Sequence, residues 1–230
     1  MINLDDVSYI DLTHTLSLDI PHWGGSCGFE NKIVTDYGNC KSGVKFRVQH
    51  FNMVAGIGTH MDAPAHCIEG GSTISDIPLK SLISPCCVIN IANAADEKYC
   101  LTVDDIKAFE TQYGTIQQGV FVIIYTGWDR WWNQPEKYRN NHIFPSVSKQ
   151  AAEMLLERGI VGLGIDTLSP DTADSQFPVH QVMLSAGKYI IENVANAAQL
   201  NATGDYIIAL PINIFGATEA PIRLVGLKHK

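Results

Sequence analysis

The segment 56–66 of this 230-residue chain carries three side chains that can bind a metal ion or transfer a proton. His60 and Asp62 are two positions apart, so in an extended strand both side chains point to the same face. Pro64 fixes its own φ and disfavours helical geometry at the preceding residue, so a bend precedes His66. Two imidazoles and a carboxylate are ligand types that Zn²⁺ and Mn²⁺ accept.

The bare spacing leaves a second interpretation open. In that interpretation His60 and Asp62 form only a hydrogen-bonded pair, and His66 is an ordinary surface residue. The segment also lacks the helical context of the His-Glu-x-x-His zinc motif. A metal site therefore requires further ligands from elsewhere in the chain.

Two later segments contain candidates for these ligands. His180 ends the stretch Phe177-Pro178-Val179-His180, near the start of a short predicted helix. Glu192 follows the apolar run 189–191. A charged residue at the end of a buried strand needs an ionic partner, a metal ion or exposure to solvent. Each residue alone also has an ordinary interpretation, as a surface histidine and a solvated strand-end carboxylate.

Composition limits the class of protein. The chain is 46% hydrophobic and 17% charged, which is typical of a globular protein long enough to bury a sizeable core. Its formal net charge is −8 and it has no run of lysine and arginine, so we expect no nucleic-acid partner. Apolar runs such as 120–125 are far too short to span a bilayer, so we expect no membrane association.

The cysteines and the N-terminus indicate a cytoplasmic location. The first residues are acidic and contain no apolar segment of the kind found in secretory signals. The six cysteines are even in number, but a chain of this length needs no disulfide framework, so we expect reduced thiols. Cys67 directly follows His66, yet nothing in the local sequence would lower its pKa as a nucleophile requires.

Alternating strands and helices run along the chain without repeats or linkers. Periodicity and capping residues predict helices over 102–113, 146–158 and 178–186. Predicted strands cover residues 9–16, 44–54, 84–92, 120–125, 160–165, 206–214 and 221–227. This order predicts an α/β protein with a mixed β-sheet or barrel-like core and flanking helices. We expect one domain over residues 1–230.

Tryptophans are the candidates for contact with an aromatic substrate. Trp23 lies in the proline- and glycine-containing loop 21–25, where it could stack on a flat ligand or pack internally. Trp128, Trp131 and Trp132 follow a buried strand. For this second group, packing in the core or at a subunit interface is the favoured interpretation.

Ordered motifs along nearly the whole chain support a family resemblance. The stretch Gly58-Thr59-His60-Met61-Asp62-Ala63-Pro64-Ala65-His66 is similar to the signature of the cyclase family of metal-dependent hydrolases, which includes kynurenine formamidases and isatin hydrolase. Other matching motifs are Asp11-Leu12-Thr13-His14, Tyr125-Thr126-Gly127-Trp128-Asp129, Gly164-Ile165-Asp166-Thr167, Phe177-Pro178-Val179-His180, Ile191-Glu192-Asn193 and Leu210-Pro211. The resemblance implies a swivelling β/α/β type of fold and is less specific for a substrate than for the family.

The resemblance also implies roles for individual residues. His60, Asp62, His180 and Glu192 match the family's metal ligands, with Asp62 and Glu192 able to bridge two ions. His66 matches the proton donor and acceptor. The implied reaction is hydrolysis of a small aryl or cyclic amide by water whose pKa the metal lowers to about 7. We also expect a homo-oligomer, either a dimer or a tetramer.

One departure from the family signature affects the number of metal ions. The family signature is His-x-Gly-Thr-His-x-Asp-x-Pro-x-His, and its first histidine, a ligand in two-metal members, is Gly56 here. We therefore expect one tightly bound Zn²⁺ or Mn²⁺ ion, with a second weak or absent, unless His50 or His14 substitutes. Two alternatives stay open: hydrolysis of a lactone, ester or other cyclic substrate, and a catalytically degenerate protein that only binds metal or ligand.

Overall fold

The computed structural model describes residues 6–25 and 28–229. Its strands are β1 (Val7–Asp11), β2 (Phe29–Thr35), β3 (Val48–Met53), β4 (His60–Asp62), β5 (Ile83–Asn90), β6 (Cys100–Leu101), β7 (Phe121–Tyr125), β8 (Ser146–Val147), β9 (Gly162–Ile165), β10 (Tyr189–Glu192), β11 (Asp205–Pro211) and β12 (Glu219–His229). Its α-helices are α1 (Leu79–Leu82), α2 (Val103–Tyr113), α3 (Pro135–Arg139), α4 (Lys149–Glu157) and α5 (Pro178–Ser185).

Seven strands close into a mixed barrel. Their order is β12-β11-β5-β7-β9-β10-β4, and β4 pairs again with β12 to complete the ring. Strands β5, β7, β9 and β10 run parallel to their neighbours within that group, and the other pairings are antiparallel. Strand β1 pairs with the same edge of β12 as β4 does, farther along that strand. The predicted α/β class with a mixed, barrel-like core is confirmed.

The central strands are buried on both faces. In β7, Phe121 and Ile123 face the barrel interior, while Val122 and Ile124 belong to the cluster formed with the helices. Helices α2, α4 and α5 contribute apolar side chains to that second cluster. Burial on both faces explains why β7 is a continuous apolar run and shows no alternation.

Capping residues set the helix boundaries. Thr102 caps α2 through a reciprocal capping box with Asp105, and Gly114 ends the helix at φ 90°, as the sequence predicts. Helix α4 begins later than predicted, at Lys149, because the Ser148 side chain caps it by accepting from the backbone N–H of Ala151. The two residues assigned to its first turn form β8 and pair with β6.

Several predicted strand ends are wrong. The predicted strand 9–16 ends at Asp11, and the predicted strand 44–54 begins at Val48. The late strand predicted over 206–214 ends at Pro211. Strand β2 lacks a clear sequence signal, because it pairs only with β3 in a ribbon outside the barrel and buries no face. Within the described ranges, no helix combines the length and apolarity needed to cross a bilayer.

Candidate metal centre and active site

Strand register brings the candidate ligands to one face of the barrel. Strand β4 lies between β10 and β12, with Glu192 directly opposite His60 and Glu219 directly opposite Asp62. Met61, between His60 and Asp62 on β4, points into the core and is fully buried. Residues directly opposite each other on paired strands have Cβ atoms about 4.5–5.5 Å apart. The four polar side chains are therefore neighbours.

Two imidazoles and two carboxylates meet at this face. The Nε2 of His60 lies 3.5 Å from Asp62 Oδ1 and 3.3 Å from Glu192 Oε2. The Nε2 of His180 lies 3.6 Å from Asp62 Oδ2 and 3.4 Å from Glu192 Oε1. Each carboxylate thus faces both imidazoles, one oxygen to each. The structure brings together all four residues that the resemblance assigns as ligands.

Asp171 orients His180. Helix α5 begins after Phe177, which has a left-handed φ of 54°, and has Pro178 in its first turn. The carboxylate of Asp171 accepts hydrogen bonds from the backbone N–H of Val179 at 3.1 Å and of His180 at 3.0 Å. It also lies 2.8 Å from His180 Nδ1. With the Nδ1 proton donated to Asp171, Nε2 is the nitrogen left to face the carboxylates.

The sequence prediction did not include Asp171. No local sequence signal marks it, because it lies seven residues before Pro178 and the N-cap position of α5 is occupied by Phe177. Only the folded structure brings its carboxylate to the first turn of α5 and to the His180 imidazole.

A backbone carbonyl orients His60 in the same way. The Nδ1 of His60 lies 2.9 Å from the Gly58 carbonyl oxygen, which also accepts a hydrogen bond from Asn193 Nδ2 at 2.8 Å. Donation from Nδ1 leaves Nε2 directed at Asp62 and Glu192. Gly58 has a φ of 61°, a conformation that glycine adopts without strain.

His66 stands beside this group on the short 3₁₀-helix Pro64–His66. Its Nδ1 lies 3.2 Å from Glu219 Oε2, and its side chain is 33% exposed. The hydrogen bond to Glu219 raises the pKa of His66, outweighing the effect of partial burial. One ring nitrogen of His66 also lies within 4.8 Å of ligand atoms of Asp62 and His180. The position fits both proton transfer and a ligand role.

The buried charges fit a divalent cation. Burial lowers the pKa of His60, but Asp62 and Glu192 outweigh it and raise that pKa to about 10. For the Glu192 carboxylate, burial raises the pKa, but the hydrogen bonds with His180 and His60 outweigh burial and lower the pKa below its usual value. Asp62 Oδ1 is buried without a hydrogen-bond partner in the described part of the chain. A cation satisfies such an oxygen, so the donor set suits a metal ion.

A cavity of about 460 Å³ opens onto these residues. Trp23 and Phe177 line it, with their ring centroids 5.9 Å apart. Trp23 is held in place by His142, whose ring lies 4.1 Å away and whose Nε2 is 2.8 Å from the Trp23 carbonyl oxygen. Cys67 also borders the cavity, but the partial burial of its thiol raises the pKa of that group, which disfavours a nucleophilic thiolate.

The other tryptophans lie away from this cavity. Trp128 and Trp132 are buried in a cluster with Tyr138 and Phe144, and Trp131 is covered by Lys137, whose Nζ lies 3.0 Å from the ring centroid. Packing in the core, the favoured interpretation, is confirmed for Trp128 and Trp132.

Neither histidine suggested as a substitute for the missing ligand reaches the centre. His14 stacks on Trp132 at a centroid distance of 3.8 Å and lines a different cavity. His50 is exposed on β3, outside the barrel. The side chain that lies against Gly56 in space is that of Glu219, which no sequence pattern singled out. Its signal is related to that of Glu192, because Glu219 is a carboxylate at the beginning of an apolar strand.

Comparison with known proteins agrees with this geometry. The sequence model of the family described as "Putative cyclase" matches residues 10–172. The chain belongs to this family. Among cyclase-family relatives, isatin hydrolase of Roseibium aggregatum is 33% identical over 189 residues, 75% of this chain and 72% of the relative. Kynurenine formamidase of Geobacillus thermodenitrificans is 28% identical over 218 residues, 94% and 95% of the two chains.

Solved structures of the cyclase family share the fold. Isatin hydrolase A from Ralstonia solanacearum superposes with a TM-score of 0.89 at 28% identity, over 98% of this chain and 93% of that one. A predicted metal-dependent hydrolase from Bacillus stearothermophilus superposes with a TM-score of 0.77 at 27% identity, over 97% and 99% of the two chains. The closed mixed barrel is therefore the fold of this family.

Proposed function

We propose that the protein is a metal-dependent hydrolase that cleaves the carbon–nitrogen bond of a small aryl or cyclic amide, acting as a single domain. The observation that carries this proposal is the convergence of His60, Asp62, His180 and Glu192 beneath a cavity that His66 borders. Family relatives named isatin hydrolase and kynurenine formamidase support an amide as the substrate class.

Asp62, His180 and Glu192 would hold one tightly bound divalent ion, and Zn²⁺ or Mn²⁺ suits this mixture of imidazole and carboxylate ligands. When bound, the ion supplies positive charge that acidifies a coordinated water molecule and polarises the carbonyl under attack. Asp171 and the Gly58 carbonyl hold the two imidazoles in the required orientation.

His66 moves the protons of the reaction. Its imidazole accepts a proton from the attacking water and returns it to the leaving nitrogen, as general acid–base catalysis requires. The Glu219 carboxylate accepts the Nδ1 hydrogen bond, stabilises the protonated ring and leaves Nε2 for the substrate. Proton transfer of this kind contributes roughly 10²–10⁴-fold to the rate.

Trp23 contributes an aromatic wall for the substrate. We expect Trp23→Ala to raise KM about tenfold with little change in kcat, because stacking stabilises the bound substrate and the transition state alike. Trp131→Ala is the matched control, since Trp131 lies outside the cavity, and its KM should equal that of wild type. Steady-state kinetics on both variants decides, and an unchanged KM in Trp23→Ala would remove Trp23 from the substrate site.

A substrate panel tests the proposed reaction. Metal-loaded protein is assayed with N-formyl aryl amines, isatin-like cyclic amides, lactones and aryl esters. The proposal predicts that an amide has the highest kcat/KM. Preference for a lactone or ester would favour the alternative hydrolase, and turnover of none, in protein shown to contain metal, would favour a ligand-binding role.

Exposed apolar side chains support a homo-oligomer. Ile33 and Phe51 share one face of the ribbon of β2 and β3 and are each about half exposed, and exposed apolar surface commonly marks an interface. We propose a dimer or tetramer in which another copy covers this ribbon, which size-exclusion chromatography with light scattering tests.

We also propose that the protein is located in the cytoplasm. Within the described residues Cys67 and Cys100 are exposed free thiols, and the thiols of Cys86 and Cys87 are buried, as suits a reducing compartment. Fractionation of the source cells tests the location, and recovery of the protein outside the cytoplasmic fraction would contradict it.

A further inference from the structure

The carboxylate of Glu219 occupies the place that a histidine at position 56 would need. A Cβ atom built on Gly56 would overlap Oε1 of Glu219 and lie 3.3 Å from Nε2 of His60. A side chain at position 56 would thus begin where the Glu219 carboxylate ends, next to His60. The two positions are complementary, because glycine provides the space and glutamate provides an oxygen atom.

Three ligand atoms meet at this point. A ring nitrogen of His60 and carboxylate oxygens of Asp62 and Glu219 all lie within 4.8 Å of one another. Asp62 is only 1% exposed, and its Oδ1 has no hydrogen-bond donor among the described residues. Because an unpaired buried carboxylate oxygen is costly, its position indicates where a cation belongs.

We infer that Glu219 replaces the missing histidine as a metal ligand, so that His60, Asp62 and Glu219 form a second half of the metal centre. The inference rests on the proposed function, since it presupposes that the centre binds a divalent ion. It differs from the expectation drawn from Gly56 alone, in which the second ion is weak or absent.

The second oxygen of Glu219 links this half-site to His66. Oε1 lies beside Gly56 on the side of His60, while Oε2 lies 3.2 Å from His66 Nδ1. Carboxylates that bind a metal are commonly hydrogen-bonded through their remaining lone pairs. Glu219 is thus both a metal ligand and a positioning residue for His66.

Exchange of an imidazole for a carboxylate also changes metal preference. Imidazole suits Zn²⁺, whereas carboxylate oxygen suits harder ions such as Mn²⁺. The half-site of His60, Asp62 and Glu219 should therefore favour Mn²⁺ more strongly than a half-site with histidine at position 56 would.

Calorimetric titration of metal-free protein with Mn²⁺ tests the inference. His60→Ala should abolish one Mn²⁺-binding event. Glu219→Gln should weaken that same event by about 100-fold or more, because loss of a residue that only orients a ligand already lowers metal affinity by 10- to 100-fold. Glu69→Gln is the matched control, since Glu69 is an exposed glutamate of the loop after His66 that does not line the cavity. Its titration should match that of wild type.

Two results separate this inference from the proposed function. If Glu219→Gln binds Mn²⁺ with wild-type affinity while kcat falls, Glu219 only positions His66 and the ligand assignment is overturned. If wild-type protein binds neither Mn²⁺ nor Zn²⁺, the proposed function itself fails, and this inference fails with it.

A double variant provides an independent check. Gly56→His alone forces the new side chain against Glu219, so Gly56→His with Glu219→Ala is the suitable exchange. In competition titrations it should bind metal better than Glu219→Ala alone and shift preference from Mn²⁺ toward Zn²⁺. An unchanged preference together with no gain in affinity would show that positions 56 and 219 do not share a ligand role.

Discussion

Replacement of His180 with alanine is expected to remove the tightly bound metal ion and with it nearly all hydrolytic activity. The Nε2 of His180 is directed at Asp62 and Glu192 by the hydrogen bond of Nδ1 to Asp171. Metal affinity should fall by more than the 10- to 100-fold that loss of an orienting partner costs. Elemental analysis and kcat, measured on the same preparation, test this expectation.

The control for this variant is His50→Ala. His50 lies on the exposed ribbon strand β3, away from the centre, so its removal should change neither metal content nor kcat. Circular dichroism establishes that both variants are folded. Full metal occupancy in folded His180→Ala protein would contradict the ligand assignment.

Replacement of His66 with alanine is expected to lower kcat by roughly 10²-fold or more while most of the metal is retained. His66 lies on the 3₁₀-helix after Pro64, off strand β4, and reaches the centre through Glu219. Loss of a general acid–base group removes proton transfer, whereas the ligands on β4 and β10 stay in place.

Metal content distinguishes the two roles open to His66. One of its ring nitrogens lies within 4.8 Å of ligand atoms of Asp62 and His180, so a ligand role is geometrically possible. A metal-free His66→Ala protein would assign it as a ligand. A metal-loaded and fully active one would exclude it from catalysis. His60→Ala, measured in parallel, should lose activity together with the ion that His60 would hold.

Local patterns predicted the parts of the site that depend on local geometry. The shared face of His60 and Asp62 follows from the period of a strand, and the bend before His66 follows from Pro64. The buried central strands follow from the apolar runs of β5, β7 and β9. Helix α4 began later than predicted because a short strand pairing, which is not local, competed for its first residues.

Non-local register decides the remaining part of the site. Glu219 lies opposite Asp62 only because β12 turns back to pair with β4 and closes the barrel. No periodicity within 217–227 indicates that pairing, which is why the sequence alone points to His14 and His50 as substitutes and not to Glu219. Asp171 was missed for a similar reason, since its contact with the His180 ring exists only once α5 is in place.

Reconstitution of metal-free protein tests the central claim most directly. The protein is treated with a chelator, shown to be metal-free by elemental analysis, and titrated with Mn²⁺ or Zn²⁺ while bound metal and amide hydrolysis are measured on the same samples. We predict no hydrolysis without metal and a rate that rises with the occupied fraction until the site is saturated. Hydrolysis at the full rate by protein shown to contain no metal would contradict the account.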